Sequence, residues 1–216
     1  MVMELMDIWY RMLSINFLTK FLFMKLNINQ IYYLCLVNYT VVLIYVNSDK
    51  IISINCGDSR AILITNEDKV IPLTTAHKPE LLEEKTRIES SGGRVDKDYK
   101  DGPYRVFNKN GDIGLEMSRC IGDQLAHSVG VSDIPEIKKF NISDMEPLAI
   151  VIASKGIWKY LTHEEVLDIV TDYKNRKFAD ECSRDLVKKA RSIGEKKGFA
   201  IDDITCIVAY FKGEFV

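Results

Sequence analysis

The chain has 216 residues, 47% of them apolar and 28% charged, with a formal net charge of -2. That length supports one domain with its own core, and the balance is that of an ordinary soluble globular protein. The near-neutral charge excludes a global electrostatic pull toward nucleic acid or acidic membrane.

Residues Met1 to Val46 are rich in Leu, Ile, Phe, Tyr and Met. A spanning helix needs about 20 predominantly apolar residues. Arg11, Lys20 and Lys25 interrupt the first half of this stretch. The uncharged run Leu26 to Ser48 contains Asn27, Asn29, Gln30 and Asn38, and it ends in the β-branched VVLIYV. Core packing is therefore expected over membrane insertion. A secretory signal fits poorly, because Glu4 and Asp7 precede any basic residue.

YTVVLIYV and KIISINC flank the turn cluster Asn47-Ser48-Asp49 and read as a hairpin. RAILIT and KVIPL repeat the pattern around Asn66-Glu67-Asp68. Four short strands in a row predict an antiparallel sheet. PELLEEKTRIESSGG then changes period. Leu81, Leu82, Lys85, Ile88 and Glu89 follow helical spacing, Pro79 suits the first turn, and Gly92 and Gly93 stop the helix. Asp96 to Gly114 reads as a loop with a short strand at YRVF.

PLAIVIAS is a continuous apolar run, as in a strand covered on both faces. Thr162-His163-Glu164-Glu165 is a capping-box pattern, and Val166, Ile169, Val170 and Tyr173 give the helix after it an apolar stripe. A second helix is expected from about Phe178 to Ile193, with Cys182, Leu186, Val187, Ala190 and Ile193 on one face and Gly194 as its stop. The last strand, ITCIVAYF, is apolar on both faces and is expected inside a layered core. The fold class predicted is α+β with antiparallel sheets.

Five scattered cysteines, Cys35, Cys56, Cys120, Cys182 and Cys206, include no CxxC pair. An odd count in a chain of this size argues for a reduced intracellular setting, cytoplasmic or nuclear. The sequons at Asn38 and Asn141 then carry no meaning. No phosphate loop, GxSxG elbow, HExxH or cysteine-phosphatase loop is present. His77, His127 and His163 have no neighbour at metal-ligand spacing, and surface or capping roles are expected for them. What remains are acidic residues at strand ends: Asp58 after IISINCG, Asp123 after MSRCIG, and Asp202 and Asp203 before the last strand. Such carboxylates can converge on Mg²⁺ or Mn²⁺, although most strand-end aspartates are turn residues.

Six ordered segments resemble one family. INCGDSRAIL is similar to an NxGDSRA strand-turn-strand. PLTTAHKPELLEEKTRIESSGGRV, RVFNKNGDIGLEMSRCIGD, VGVSDIPEI, VIASKGIWKYLTHEEVLDIV and DDITCIVAYF follow at matching spacing. Together they resemble protein phosphatase 2C, the metal-dependent serine/threonine phosphatases. The resemblance divides the chain into a divergent apolar segment, 1–38, and a phosphatase 2C-like domain, 39–216. It implies a layered α-β-β-α sandwich of antiparallel sheets, incomplete at the N-terminus. It also implies two divalent cations, Mg²⁺ or Mn²⁺, at one edge, with a metal-activated water attacking phosphoserine or phosphothreonine.

The resemblance carries over residue by residue. Asp202 matches the late metal aspartate, and Asp58 matches the aspartate of an additional weak site. In Ser154-Lys155-Gly156-Ile157-Trp158-Lys159, which is similar to SDGxWD, Lys155 and Lys159 stand where two ligand aspartates are usual. No DGHGG loop occurs, and Arg11 and Glu4 sit in the wrong context for the early arginine and acid. No catalytic residue is carried over. A divalent ion about 4 Å from an ammonium meets about 8 kcal/mol of repulsion at an effective dielectric of about 20. Metal is thus expected to bind weakly or not at all, and Lys155 to pair with Asp202 or Asp58. The implied reading is a pseudophosphatase whose partners are phosphoproteins or an active relative. An active Mn²⁺- or Mg²⁺-dependent phosphatase and a non-functional gene fragment are the alternatives.

Overall fold

The computed structural model describes residues 39–174, 178–198 and 202–211. The apolar segment 1–38 singled out in the sequence lies outside the described residues. The described residues fall into two compact units, one holding Lys78–Asp133 with Tyr39–Val41, the other holding Val42–His77 and the described residues from Ile134 to Phe211.

The second unit carries two antiparallel sheets. Strands β1 (Val41–Val46) and β2 (Lys50–Cys56) form the expected hairpin, and β2 also pairs with β7 (Glu136–Asn141). The other sheet has the order β4-β3-β8-β9, from β3 (Arg60–Thr65), β4 (Val70–Pro72), β8 (Pro147–Ala153) and β9 (Cys206–Tyr210). The first four strands therefore do not make one sheet. β2 is the middle strand of one and β3 an inner strand of the other, so the chain changes sheet at Gly57-Asp58-Ser59.

Alternation sorts the core. On β3 and β8, Leu63 and Ile150 pack in a cluster with Ile51 of β2, while Ile62, Ile64, Val151 and Ala153 face the helices. β8 lies between β3 and β9, as its unbroken apolar run predicts. The helical layer consists of α3 (Lys155–Trp158), α4 (His163–Asp172) and α5 (Ala179–Lys196). Val166 and Val170 of α4 and Cys182, Leu186 and Ala190 of α5 are fully buried against the sheet. Each large aliphatic side chain removed from water in this way contributes about 1.5–3 kcal/mol.

Two expectations shift here. α5 does not stop at Gly194 but runs two residues past it. Gly194 is buried within the helix, where a Cβ would come to 3.0 Å from the Tyr160 ring. Among the described residues the last strand, β9, lies at the sheet edge. Val208 faces the helices, whereas Ile207 and Ala209 are exposed.

A polar seam holds β2. Ser53 Oγ donates to the Leu73 carbonyl at 2.6 Å, Asn55 Nδ2 donates to the Thr75 carbonyl at 2.6 Å, and the Gly57 N–H donates to His77 Nδ1 at 3.0 Å. The period of two along β2 matches a period of two in the segment 73–77, so alternate polar residues of a buried strand find partners.

The first unit contains α1 (Leu82–Ser90), the hairpin β5 (Arg94–Lys97) and β6 (Tyr104–Phe107), and the short α2 (Gln124–His127). Its core joins Ile88, Val95, Val106, Cys120, Ala126, Val129 and Val131. Pro79 lies ahead of α1, in a turn closed by the Leu81 N–H on the Lys78 carbonyl at 3.1 Å. Leu82 is 80% exposed, so the buried face of α1 is Glu84 with Ile88 rather than the leucines.

Candidate functional site

Sheet register gathers the acidic candidates. Arg60 at the start of β3 pairs with Ala153 at the end of β8, and Ala153 pairs with Cys206 at the start of β9. The residues just beyond these positions therefore leave the sheet at the same end. They are Asp58, Ser154 with Lys155, and Asp202 with Asp203. Asp58 is buried, Asp202 half-buried and Asp203 exposed.

Ser154 ties two of these strand ends together. Its N–H donates to the Thr205 carbonyl at 3.0 Å, its hydroxyl accepts from the Thr205 N–H at 2.9 Å, and the same hydroxyl donates to the Asp203 carbonyl at 3.0 Å. Trp158 Nε1 then donates to the Ala153 carbonyl at 2.9 Å, folding the turn of α3 back on β8. Gly156 makes the approach possible. A Cβ there would lie 2.8 Å from Ile204 Cγ1 and 2.9 Å from the Asp203 carbonyl oxygen. The serine and glycine of the Ser154-Lys155-Gly156 run thus have backbone roles independent of any ligand.

Lys159 Nζ lies 3.1 Å from Asp202 Oδ2. The sequence pointed to Lys155 as the ammonium that meets Asp202 or Asp58. Asp202 is paired with Lys159, one helical turn further along at the C-cap of α3. Residues four apart share a helix face, which is why a neighbouring lysine can take the role. Partial burial works to lower the Lys159 pKa, but the hydrogen bond and charge of Asp202 outweigh it and raise the value. The two side chains are 39% and 38% exposed. In that setting the pair is worth at most about 1 kcal/mol. Its consequence is electrostatic rather than structural, because the Asp202 carboxylate already has a cation.

Other candidates take structural places. Asp123 sits at φ 61° and its carboxylate accepts from the Ala126 N–H at 3.0 Å, capping α2. His77 is buried as a clasp on Gly57, not on the surface, and its backbone N–H donates to the Gly57 carbonyl at 2.9 Å. His163 opens α4 and meets Trp158 edge-on, with ring centroids 5.8 Å apart. Burial pushes the Cys120 and Cys206 thiols up to about 12, so neither supplies a thiolate near neutral pH.

Glu84 was missed by the sequence reading. It is 3% exposed, yet it accepts from Arg87 Nη2 at 2.7 Å, Ser118 Oγ at 2.6 Å and both Nε and Nη2 of Arg119. Burial alone would raise its pKa, but these donors win and hold it at about 2. The available signal was an i, i+3 Glu-Arg pair on α1 together with Ser118-Arg119. The leucines at 81 and 82 masked it.

The described residues at the Asp58–Asp202 end supply few metal ligands. Among the described residues no three His, Cys, Asp or Glu side chains are close enough to hold a metal. Asp202 is ion-paired, and Lys155 and Lys159 bring positive charge to the same sheet end.

The sequence profile described as Protein phosphatase 2C matches residues 38–198. The chain belongs to the protein phosphatase 2C family. Two relatives in Arabidopsis thaliana illustrate the likeness. "Probable protein phosphatase 2C 41" is 32% identical over 173 residues, which is 76% of this chain and 48% of its own length. "Probable protein phosphatase 2C 34" is 33% identical over 179 residues, 80% of this chain and 49% of its own. This protein phosphatase 2C chain therefore spans about half the length of the curated relatives it matches. The crystal structure of a serine-threonine phosphatase 2C from Toxoplasma gondii superposes with a TM-score of 0.74 at 19% identity, covering 85% of this chain and 61% of that one. A C. elegans sex determining protein gives 0.69 at 20% identity, covering 85% and 42%. These two structures establish the fold, the α+β arrangement of antiparallel sheets that the sequence predicted. No helix among the described residues is long and apolar enough to cross a membrane.

Proposed function

We propose that this protein phosphatase 2C domain binds without turning over phosphoester, holding either phosphorylated serine/threonine segments or an active relative. The observation that carries the reading is the ammonium of Lys159 on Asp202, 3.1 Å away, at the sheet end where active members concentrate carboxylates around Mg²⁺ or Mn²⁺. Hydrolysis by this family needs an acidified metal-bound water, and that need is poorly served by an end carrying Lys155 and Lys159. Binding makes no such demand, because it needs a complementary surface and not an acidified water. The reading keeps the chain inside the cell, in cytoplasm or nucleus, where the free thiols of Cys56, Cys120, Cys182 and Cys206 are at home.

The test is hydrolysis of a phosphothreonine peptide by the purified chain in millimolar Mn²⁺, with Asp202→Ala as control and peptide binding followed by fluorescence anisotropy. Saturable binding with no turnover above the control supports the proposal. Turnover abolished by Asp202→Ala overturns it in favour of an active enzyme. A chain that only aggregates also overturns it, since it would be a fragment and not a free binding module.

A further inference from the structure

We infer that Lys159 is a tethered counter-ion that stands in for a divalent cation at Asp202, so this end of the domain is built to work with no metal. The inference deepens the non-catalytic reading and rests on it only in its biological meaning, because the chemistry concerns ion binding alone. Three observations carry it. First, the Lys159–Asp202 contact spans 43 residues of sequence and joins the helix after β8 to the segment before β9. An ion bridging the same two strand ends would make the same link. Second, the frame around the contact is built from the chain's own hydrogen bonds and packing. Ser154 makes three hydrogen bonds to Asp203 and Thr205, and Gly156 seats α3 directly on Ile204 and Asp203. Third, the ammonium has a second favourable neighbour, the Tyr160 ring, whose centroid is 5.4 Å away. Tyr160 is itself buried and packs on Gly194 of α5. The lysine is thus held over a rigid aromatic face while its charge reaches Asp202.

The tethered ammonium is present at the carboxylate whatever the cation concentration, and a pair worth at most about 1 kcal/mol weakens a competing ion by up to about fivefold. It also makes the site refuse a second positive charge, since a divalent ion at Asp202 would have to displace Lys159 and then sit beside it. Lys155, at the other end of the same helical turn, adds a further unit of positive charge.

The experiment is Mn²⁺ binding to the whole chain, read by calorimetry and by the loss of free-ion paramagnetic resonance, with no phosphoester present. Wild type is expected to take up no ion at millimolar Mn²⁺, and its melting temperature is expected to be the same in EDTA and in Mn²⁺. The Lys155→Asp/Lys159→Asp variant is expected to gain Mn²⁺ affinity by at least about tenfold, with a Mn²⁺-dependent rise in melting temperature. Lys159→Gln, a neutral change at an exposed helix end, provides a second variant in case the double one folds poorly, and it is expected to gain measurable but weaker binding. Saturable Mn²⁺ binding by wild type that Asp202→Asn removes would overturn the inference. So would failure of both lysine variants to gain binding. Metal binding without hydrolysis would sink this inference while leaving the non-catalytic reading standing, so the two can fail separately.

Discussion

Arg119 grips one oxygen of Glu84 with two nitrogens, Nε at 2.9 Å and Nη2 at 2.5 Å, deep in the first unit. The same carboxylate receives Arg87 and Ser118 on its other oxygen. The knot joins α1 to the segment that runs from Met117 toward α2. Arg87 extends it by donating to the Ser118 carbonyl at 2.7 Å and, through Nε, to the Gly130 carbonyl at 2.8 Å. Removing one partner of such a group leaves buried charge uncompensated, which costs about 3–5 kcal/mol. Glu84→Ala is expected to lose stability in that range, measured by urea unfolding. Glu84→Gln keeps the shape and one acceptor oxygen, so its loss is expected to be smaller, about 1–3 kcal/mol.

The same carboxylate sets an acid limit. Its folded pKa, about 2, lies below the ordinary value of 4.5. A depressed carboxylate stabilises the fold fully above its unfolded pKa, and that stability is lost as pH falls through the folded one. The window is therefore from about pH 5 down to about pH 2, and the whole effect is at most about 3 kcal/mol. Urea midpoints measured near neutral pH and at about pH 3 are expected to fall more steeply in wild type than in Glu84→Gln, which has no proton to take up. Parallel losses in the two proteins would remove Glu84 from the account.

The sequence made the second unit legible because its signals were periodic. The unbroken PLAIVIA run marked β8 as an inner strand, and the capping box marked the start of α4 to the residue. Polar tertiary contacts were less visible. Nothing local distinguishes Lys155 from Lys159 as the partner of Asp202, since the choice depends on how α3 seats against Ile204. Glu84 was hidden for a related reason. A buried carboxylate becomes affordable only when Arg119, 35 residues away, arrives to pair with it. The change of sheet after β2 was invisible too, because a turn within one sheet and a turn between two sheets use the same residues, here Gly57, Asp58 and Ser59.

Thr162 tests how much of α4 depends on its cap. Its hydroxyl accepts from the Glu165 N–H at 3.2 Å, and the Glu165 carboxylate accepts from the Thr162 N–H at 3.0 Å. Each satisfies an amide left without a helical partner. Thr162→Ala is expected to cost about 1 kcal/mol by urea unfolding, and Thr162→Ser to restore most of it. Equal losses in both variants would assign the effect to the threonine methyl and not to the cap.

Gly156 allows the sharpest test of the frame beneath Asp202. In most exposed helix positions Gly→Ala gains up to about 1 kcal/mol through propensity. Here the added Cβ would stand 2.8 Å from Ile204 Cγ1 and 2.9 Å from the Asp203 carbonyl oxygen, so backbone as well as side chain must move. Overpacking of this kind costs about 1–3 kcal/mol, which exceeds the propensity gain. Gly156→Ala is therefore expected to be net destabilising. Because Ile204 lies two residues from Asp202, the shift is also expected to loosen the Lys159–Asp202 contact. That loosening would appear as a smaller stability loss for Lys159→Gln in the Gly156→Ala background than in wild type. An additive pair of losses would mean that α3 gives way without disturbing the strand end, and that the glycine and the ion pair are independent.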